Sequence, residues 1–137
     1  MMTTIQAEDA IYAKIGAFKG IPTENIRIDN QPTKDGKPFV PPTDAPWCRV
    51  SIDYSPSQVA SLGGEDACIR DFGIISIQCF TPKNKGTRDM AKLCDDWRAH
   101  LKAFRDDHLE VYVVHAPEKM DEDNFYARII RAEFRIN

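Results

Sequence analysis

The stretch from Cys79 to Phe104, CFTPKNKGTRDMAKLCDDWRAHLKAF, joins the end of a predicted strand, a short loop and the best-defined predicted helix of the chain. In its helical part, apolar side chains recur every three or four residues and form one wide apolar stripe. These side chains are Met90, Leu93, Cys94, Trp97, Leu101 and Phe104. Such a stripe must be buried against another element, so the stretch predicts a helix that covers a sheet.

The loop TPKNKGTR inside this stretch raises the question of a phosphate-binding site. A P-loop requires G-x-x-x-x-G-K-[ST], so that successive backbone N–H groups converge on the anion. Here the single glycine, Gly86, follows the lysines, and Thr87 beside it is a suitable helix N-cap. We interpret the loop as a strand-to-helix corner, with the weak anion preference of any helix N-terminus.

Hydrophobic periodicity predicts the remaining elements. A first helix is expected from a cap at Thr3 or Thr4 to a stop at Gly20, and a short strand around Ile26 and Ile28. Four further strands are predicted from PWCRVSIDYS, IRDFGIISIQCFT, LEVYVVHA and NFYARIIRAEFRIN. This order predicts an α+β fold: a two-layer sandwich with a mostly antiparallel sheet and two helices packed on one face.

Composition indicates one globular domain spanning residues 1–137, with a proline-rich loop at about 31–46. The net charge of −3 argues against nucleic acid as the main partner. No secretory leader pattern and no membrane-length apolar run occurs, so we expect no membrane partner and a protein made in a cytoplasm. The four cysteines lack C-x-x-C spacing, which favours free thiols.

The sequence offers only weak candidates for catalytic or metal-binding residues. We therefore expect that the protein is not an enzyme and that it binds no cofactor and no metal. No G-x-S-x-G motif occurs, and the three histidines lack the spacing of a helical metal site. Adjacent acidic residues on a helix do not face one another, which makes them a poor acid–base pair. The histidines are His100, His108 and His115. The acidic groups are Asp95–Asp96, Asp106–Asp107 and Asp121–Asp123. Loose Mg²⁺ or Ca²⁺ binding by the last group is the alternative to a solvated turn.

Long loops and surface residues point instead to interactions. The predicted loops 31–46 and 56–69 are long for a small domain, and such loops often carry function. An exposed Trp–Arg pair is typical of an interface, although Trp47 would alternatively pack beneath the proline-rich loop. The predicted interface residues are Trp47, Arg49, Ser61, Leu62, Arg131, Glu133 and Arg135.

Four segments carry a resemblance to a known family. They are PWCRVSID, the SLGG loop, GIISIQCFTPKNKGTRDMAKLCDDW and the terminal FYARIIRAEFRI. Together with the first helix they resemble the lambda-like tail terminator proteins of long-tailed bacteriophages, and related prophage proteins of unknown function. The segment DNQPTKDGKPFVPP has no match in that pattern.

The resemblance implies an α+β subunit that closes into a hexameric ring. Such a ring caps the tail tube, stops its polymerisation and forms the surface that joins the tail to the head. The implied partners are further copies of the chain, the tail tube protein and a head-completion or connector protein. The implied location is the host cytoplasm during assembly and then the virion tail. Opposite charges on RAEFR and PEKMDED are expected to meet between neighbouring subunits.

Two other functions stay open at this level. One is another head–tail connector or a minor tail protein, which the sequence does not separate from a terminator. The other is a small α+β ligand-binding domain, with a pocket between helix and sheet near Trp97 and His100.

Overall fold

A computed structural model describes residues 2–31, 36–59 and 69–137 of the chain. These ranges contain two α-helices, one 3₁₀ turn and seven strands. In chain order they are α1 (Thr4–Gly16), the 3₁₀ turn Thr23–Asn25, β1 (Ile26–Ile28), β2 (Trp47–Val59), β3 (Ile69–Thr81), α2 (Arg88–Leu101), β4 (Arg105–Asp106), β5 (Leu109–Val114), β6 (Glu118–Met120) and β7 (Tyr126–Ile136). The first helix therefore ends at Gly16, four residues before the predicted stop at Gly20.

The seven strands form one sheet in the order β1-β2-β3-β7-β5-β4, and β6 pairs with β7 outside this path. β1 runs parallel to β2, and the other pairs are antiparallel. The register places Val50 opposite Ile77 and Ile77 opposite Ile130, so apolar side chains align across the three central strands. β7 thus pairs with three strands, β3, β5 and β6.

The predicted two-layer sandwich with helices packed on one face is wrong. The sheet is mixed and curls into a half-barrel, with 39% of the residues in strands and 25% in helices. Long strands accumulate right-handed twist, which a flat layer does not accommodate. Register shifts between Ser55 and Gln58 and between Val111 and Val113 add local bends. Strand alternation predicts which residues share a face, but the curl depends on pairing across the whole sheet.

One core cluster contains side chains from both helices and from alternate positions of β2, β3 and β7; we call the side of these strands on which they lie the inner face. It contains Cys48 and Val50 of β2, Ile75, Ile77 and Cys79 of β3, and Ile130, Ala132 and Phe134 of β7, together with Ala7, Ile11 and Ile15 of α1. The stripe predicted for the second helix is confirmed, since its apolar residues from Met90 to Leu101 are buried. Phe104 follows the end of α2 and packs partly buried against the same core.

The opposite face of the sheet, the outer face, carries a second and smaller cluster. Trp47, Phe80 and Ala127 are buried there, and Phe39, Met120 and Phe125 pack against them. Phe39 belongs to the proline-rich segment, so part of that segment covers the outer face. Neither helix in the described ranges has the length and hydropathy of a membrane-spanning helix.

The start of α1 gives a testable contribution to stability. The Thr3 hydroxyl accepts a hydrogen bond from the Gln6 N–H (3.2 Å), and the Gln6 side chain accepts one from the Thr3 N–H (2.9 Å). This reciprocal pair is a capping box. Thr3→Ala is therefore expected to lower the free energy of unfolding by about 1 kcal/mol in urea titrations. Thr4→Ala is the matched control, and an equal loss in both variants contradicts the assignment of Thr3 as the cap.

Candidate interaction surface on the outer face of the sheet

The predicted interface residues fall mainly on the outer face. Strand alternation places Arg131, Glu133 and Arg135 on this side of β7, and Arg49 on this side of β2. Ser61 and Leu62 lie outside the described residues. The outer face therefore gathers residues that are far apart in sequence onto one continuous surface.

The expectation that Trp47 is exposed is wrong, because its side chain is only 2% exposed. Its ring stacks on Phe80 with centroids 4.1 Å apart, and the centroids of Phe39 and Phe125 each lie 5.5 Å away. The structure matches the alternative, in which Trp47 packs beneath the proline-rich loop. Burying a large indole is strongly favourable, and three aromatic neighbours are available to cover it. Its ring N–H is buried and has no hydrogen-bond partner in the described part of the chain.

Arg49 is the exposed member of the predicted pair. Its guanidinium carbon lies 5.6 Å from the centroid of Trp47 and 5.8 Å from that of Phe80. The arginine therefore covers the edge of the aromatic cluster while its charge remains in solvent. Of the predicted Trp–Arg pair, only Arg49 is accessible to a partner.

The charged side chains of RAEFR form ion pairs with side chains of the same chain. Arg131 donates to Glu118 at 2.9 Å, and Arg135 donates to Glu110 at 2.8 Å. Glu110 also accepts from Arg105 at 2.8 Å, and Glu133 lies 2.6 Å from the ring of His115. Partly exposed pairs of this kind contribute about 0–1 kcal/mol each. They hold β5 and β6 against β7. The Arg131–Glu118 pair joins RAEFR to PEKMDED, so part of the charge complementarity predicted between subunits occurs inside the subunit.

Tyr112 stands at the edge of this charged network on β5. Partial burial, followed by the nearby Glu133 carboxylate, raises the pKa of Tyr112 above its ordinary value of 10.0. The phenol is therefore neutral at pH 7 and offers an uncharged, partly apolar surface. The Arg135 guanidinium carbon lies 5.4 Å from the centroid of the same ring.

Of the region predicted to hold a ligand, the space over Trp97 is occupied by Phe18, whereas an open cavity of about 550 Å³ lies beside His100 and is lined by Phe18 and Lys92. Phe18, from the turn after α1, stacks on Trp97 with a centroid distance of 3.7 Å and an interplanar angle of 11°. The indole N–H donates to the Cys48 sulfur at 3.3 Å, and His100 Nε2 donates to the Lys14 carbonyl at 2.6 Å. Trp97 thus connects α2 to the sheet, and His100 connects α2 to α1.

The corner before α2 behaves as a turn. Gly86 adopts a φ of 79° and Asn84 a φ of 64°, both in the left-handed region. Thr87 occupies the predicted N-cap position, but its side chain makes no capping hydrogen bond. A cavity of about 390 Å³ beside this corner is lined by Lys83 and Lys119 together with Asp121 and Glu122. This mixture of charges gives the cavity no preference for an anion.

Three buried sulfurs connect α2 to the sheet. Cys48, Cys79 and Cys94 are free thiols, as predicted, and Cys68 lies outside the described residues. The sulfurs of Cys48 and Cys79 are 3.8 Å apart across the β2–β3 pair. Hydrogen bonding to Cys48 and Cys94, together with burial, raises the pKa of Cys79 well above its ordinary value. A hydrogen bond from Cys79 shifts the pKa of Cys94 the other way, below its ordinary value.

The histidines and carboxylates do not converge in the described residues. No group of three or more His, Cys, Asp or Glu side chains is arranged there to hold a metal ion. His115 pairs with Glu133, and His108 lies 3.6 Å from Asp107.

Sequence reasoning missed the most exposed apolar side chains of the described chain. These are Ile5, Val40, Tyr54 and Tyr112. Val40 lies in the proline-rich segment, the part of the chain that departs from the resemblance. An isolated valine between prolines has no periodicity, so the only available signal was the run PFVPP itself.

Comparisons with known proteins bear on the fold alone. No protein-family model and no curated protein sequence matches the chain. Among the solved structures that are similar, one has a TM-score of 0.59 and 14% sequence identity, over 95% of this chain and 95% of that chain. That structure is named only by a sequence identifier, which describes no activity. The likeness therefore supports the half-barrel architecture as a recurring fold.

Proposed function

We propose that this protein is a structural assembly protein of a phage or prophage tail, and specifically a tail terminator. In this function, copies of the chain form a ring that caps the tail tube, stops its polymerisation and presents the surface that joins the head. The segments that carry the resemblance support this proposal. They form β2, the β3–corner–α2 unit and β7, which together build most of the core.

The observation that carries the proposal is the distribution of side chains between core and surface. The aromatic and sulfur-containing residues near the predicted ligand pocket, including Trp97 and Cys48, are engaged with one another in the core. Away from the buried cluster around Trp47, the described part of the outer face instead offers charged and partly apolar side chains. Such a surface suits contacts with other protein subunits, which bury polar and aromatic residues together.

The proposed partners are further copies of the chain, the tail tube protein and a head-completion or connector protein. A ring needs two different surfaces on each subunit, one of which meets the other on the neighbour. The proposed site of action is the host cytoplasm during assembly, and afterwards the virion tail.

Deleting the gene from the phage or prophage tests this function. We expect the deletion to give tails of uncontrolled length, because nothing stops the polymerisation of the tube, and the wild-type gene supplied in trans should restore uniform tails. Tail length is measured by electron microscopy. Tails of normal length that fail to join heads indicate a connector instead, and normal tails joined to heads contradict the proposal.

Native mass spectrometry of the purified protein over a concentration series, with and without Mg²⁺, complements this test. A hexamer that is favoured at high concentration is the expected species. A ring of different size contradicts the hexamer but leaves the terminator function to the deletion experiment.

A further inference from the structure

The second half of β5 forms an open edge of the sheet. β4 pairs only with Leu109 and Glu110 of β5, and Val111 donates its N–H to the Phe104 carbonyl at 2.8 Å. Along residues 112–114, no strand of the described ranges pairs with β5 on the side away from β7. Such an edge presents backbone groups with which another chain can pair.

Val114 directs its backbone groups toward this open edge. The next residue, His115, donates its N–H to the Arg131 carbonyl at 2.9 Å, which lies on the β7 side. In an antiparallel pair, the backbone groups of successive residues point alternately toward and away from the partner strand. The N–H and C=O of Val114 therefore point away from β7, and they offer one donor and one acceptor to an added strand.

A cleft of about 470 Å³ separates this open edge from α2; we call it the edge cleft. Tyr112, Val113 and Val114 of β5 line one of its walls. The other wall belongs to α2 and the turn after it, and contains two alanines together with Asp95, Arg98 and Lys102. An open strand beside such a cleft suits an extended peptide, because main-chain hydrogen bonds provide affinity and contacts to alternate side chains provide specificity.

Two cations of the edge cleft have no ionic partner. Neither Arg98 nor Lys102 forms an ion pair with a carboxylate in the part of the chain that the structure describes. Nε of Arg98 is also buried, and no described residue accepts a hydrogen bond from it. By contrast, Lys92, which lies earlier on α2, pairs with Asp96 at 2.9 Å. The edge cleft therefore offers positive charge that the fold itself does not use.

The spacing of these cations fits alternate residues of an extended chain. Arg98 and Lys102 are one helical turn apart, which is about 6 Å along the helix axis. Alternate residues of a strand are about 6.7 Å apart, and their side chains project to the same side. Two carboxylates separated by one residue can therefore meet both cations. Asp95 is the one carboxylate among the lining residues, so the cations outnumber it.

The acidic turn of the chain itself, residues 121–123, is not the matching segment. It lies beside Lys83 and Lys119, in a cavity that also borders Gly86 and Thr87 at the start of α2. The Lys83 ammonium group bonds to the backbone of this turn. A segment of a different protein is therefore the occupant that brings free carboxylates to the edge cleft.

We propose that the edge cleft binds an extended acidic segment of a partner protein, which adds to β5 as a further strand. The backbone of this segment bonds to the N–H and C=O of Val114. Two of its Asp or Glu side chains, separated by one residue, pair with Arg98 and Lys102. The proposal goes beyond the proposed function and does not depend on ring formation, because the edge cleft lies within one subunit.

Titration of the full-length chain with a synthetic peptide tests the charge preference. The probe is the capped peptide Thr-Val-Asp-Val-Glu-Val-Thr, in which acidic residues alternate with strand-forming valines. The matched control carries Asn and Gln in place of Asp and Glu. By isothermal titration calorimetry, we expect the acidic peptide to bind about tenfold or more tightly than the neutral peptide. High salt is expected to reduce this difference.

Variants of α2 then test whether the peptide occupies the edge cleft. Arg98→Gln is expected to raise the dissociation constant of the acidic peptide by about tenfold, and Lys102→Gln by about threefold because Lys102 is more exposed. Lys92→Gln is the matched control, since Lys92 lies on the same helix outside the edge cleft and should bind as the wild type does. Far-UV circular dichroism checks that the three variants are folded.

Backbone methylation of the peptide tests strand addition itself. One peptide is N-methylated at the glutamate and another at the valine between the two acidic residues. Because only alternate residues of an added strand face β5, we expect one of these peptides to lose binding and the other to bind as the parent does. In the complex, the Val114 amide is expected to be protected from hydrogen exchange, measured by NMR.

Each contrary result overturns a stated part of the proposal. An acidic peptide that fails to bind at millimolar concentration, or that binds Arg98→Gln and Lys102→Gln as tightly as the wild type, overturns the site. Equal binding of the neutral peptide overturns the charge preference, and equal binding of both methylated peptides overturns strand addition. Self-association of the wild type that is lost in Arg98→Gln but retained in Lys92→Gln makes a second copy the occupant, and overturns the partner segment.

Discussion

Trp97→Ala is expected to lower the free energy of unfolding by about 3–5 kcal/mol, which is a large part of the stability of a domain of this size. The side chain is fully buried and stacks on Phe18 at 3.7 Å. Its N–H also donates to the Cys48 sulfur at 3.3 Å. Truncation therefore leaves a cavity at the junction of α1, α2 and the sheet, and removes contacts from all three.

Urea-induced unfolding followed by circular dichroism measures this effect. Ile5→Ala is the control, because Ile5 is 72% exposed and its truncation should change stability by less than about 0.5 kcal/mol. Trp97→Phe retains the stacking but loses the N–H donor, and should fall between the wild type and Trp97→Ala. A loss below 1 kcal/mol in Trp97→Ala would show that this junction does not hold the helices on the sheet.

Gly73→Ala is expected to destabilise the protein by about 1–3 kcal/mol through overpacking. A Cβ atom at position 73 would lie 2.3 Å from Cζ of Phe134 and 2.8 Å from the backbone oxygen of Asp53. The ring of Phe134 lies across this glycine and meets Tyr54 edge to face at 5.9 Å. The aromatic ring is fully buried, so neither it nor the backbone of β2 can move without disturbing the core.

Gly16→Ala is the matched control for this substitution. A Cβ atom at position 16 meets nothing within 4 Å, and alanine is the better helix former, so stability should rise by about 0.5–1 kcal/mol. The double variant Gly73→Ala with Phe134→Leu should show a favourable coupling free energy in denaturant titrations, because the ring that clashes is gone. Additive losses in the double variant would place the strain elsewhere.

The elements were largely predictable from the sequence because their signals are local. The apolar side chains from Met90 to Leu101 recur with the period of an α-helix, and this pattern indicates a helix with a single apolar face to bury. The alternation in IRDFGIISIQCFT likewise identified β3 and its inner residues. The predicted cap at Thr3 or Thr4 was resolved by a hydrogen bond that only Thr3 makes.

The candidate surface was predictable only in part. Strand alternation placed Arg131, Glu133 and Arg135 on the face away from the core, which the register bears out. It did not show that Glu118 and Glu110, from other strands, already pair with two of these arginines. Pairing between strands depends on register, and register involves the whole sheet.

By itself, the sequence determined where the two helices, β1 and the four longer strands form and which side of each is apolar, because propensity and periodicity act over a few residues. It did not predict the short strands β4 and β6. The tertiary structure decided everything that requires distant segments to meet. Sheet twist and two register shifts turned the predicted layers into a half-barrel. Packing against Phe80 and Phe39 buried Trp47, and so decided between the exposed and buried placements that the sequence left open. Phe18 occupied the space over Trp97, since close packing leaves little empty space beside a large ring in a core.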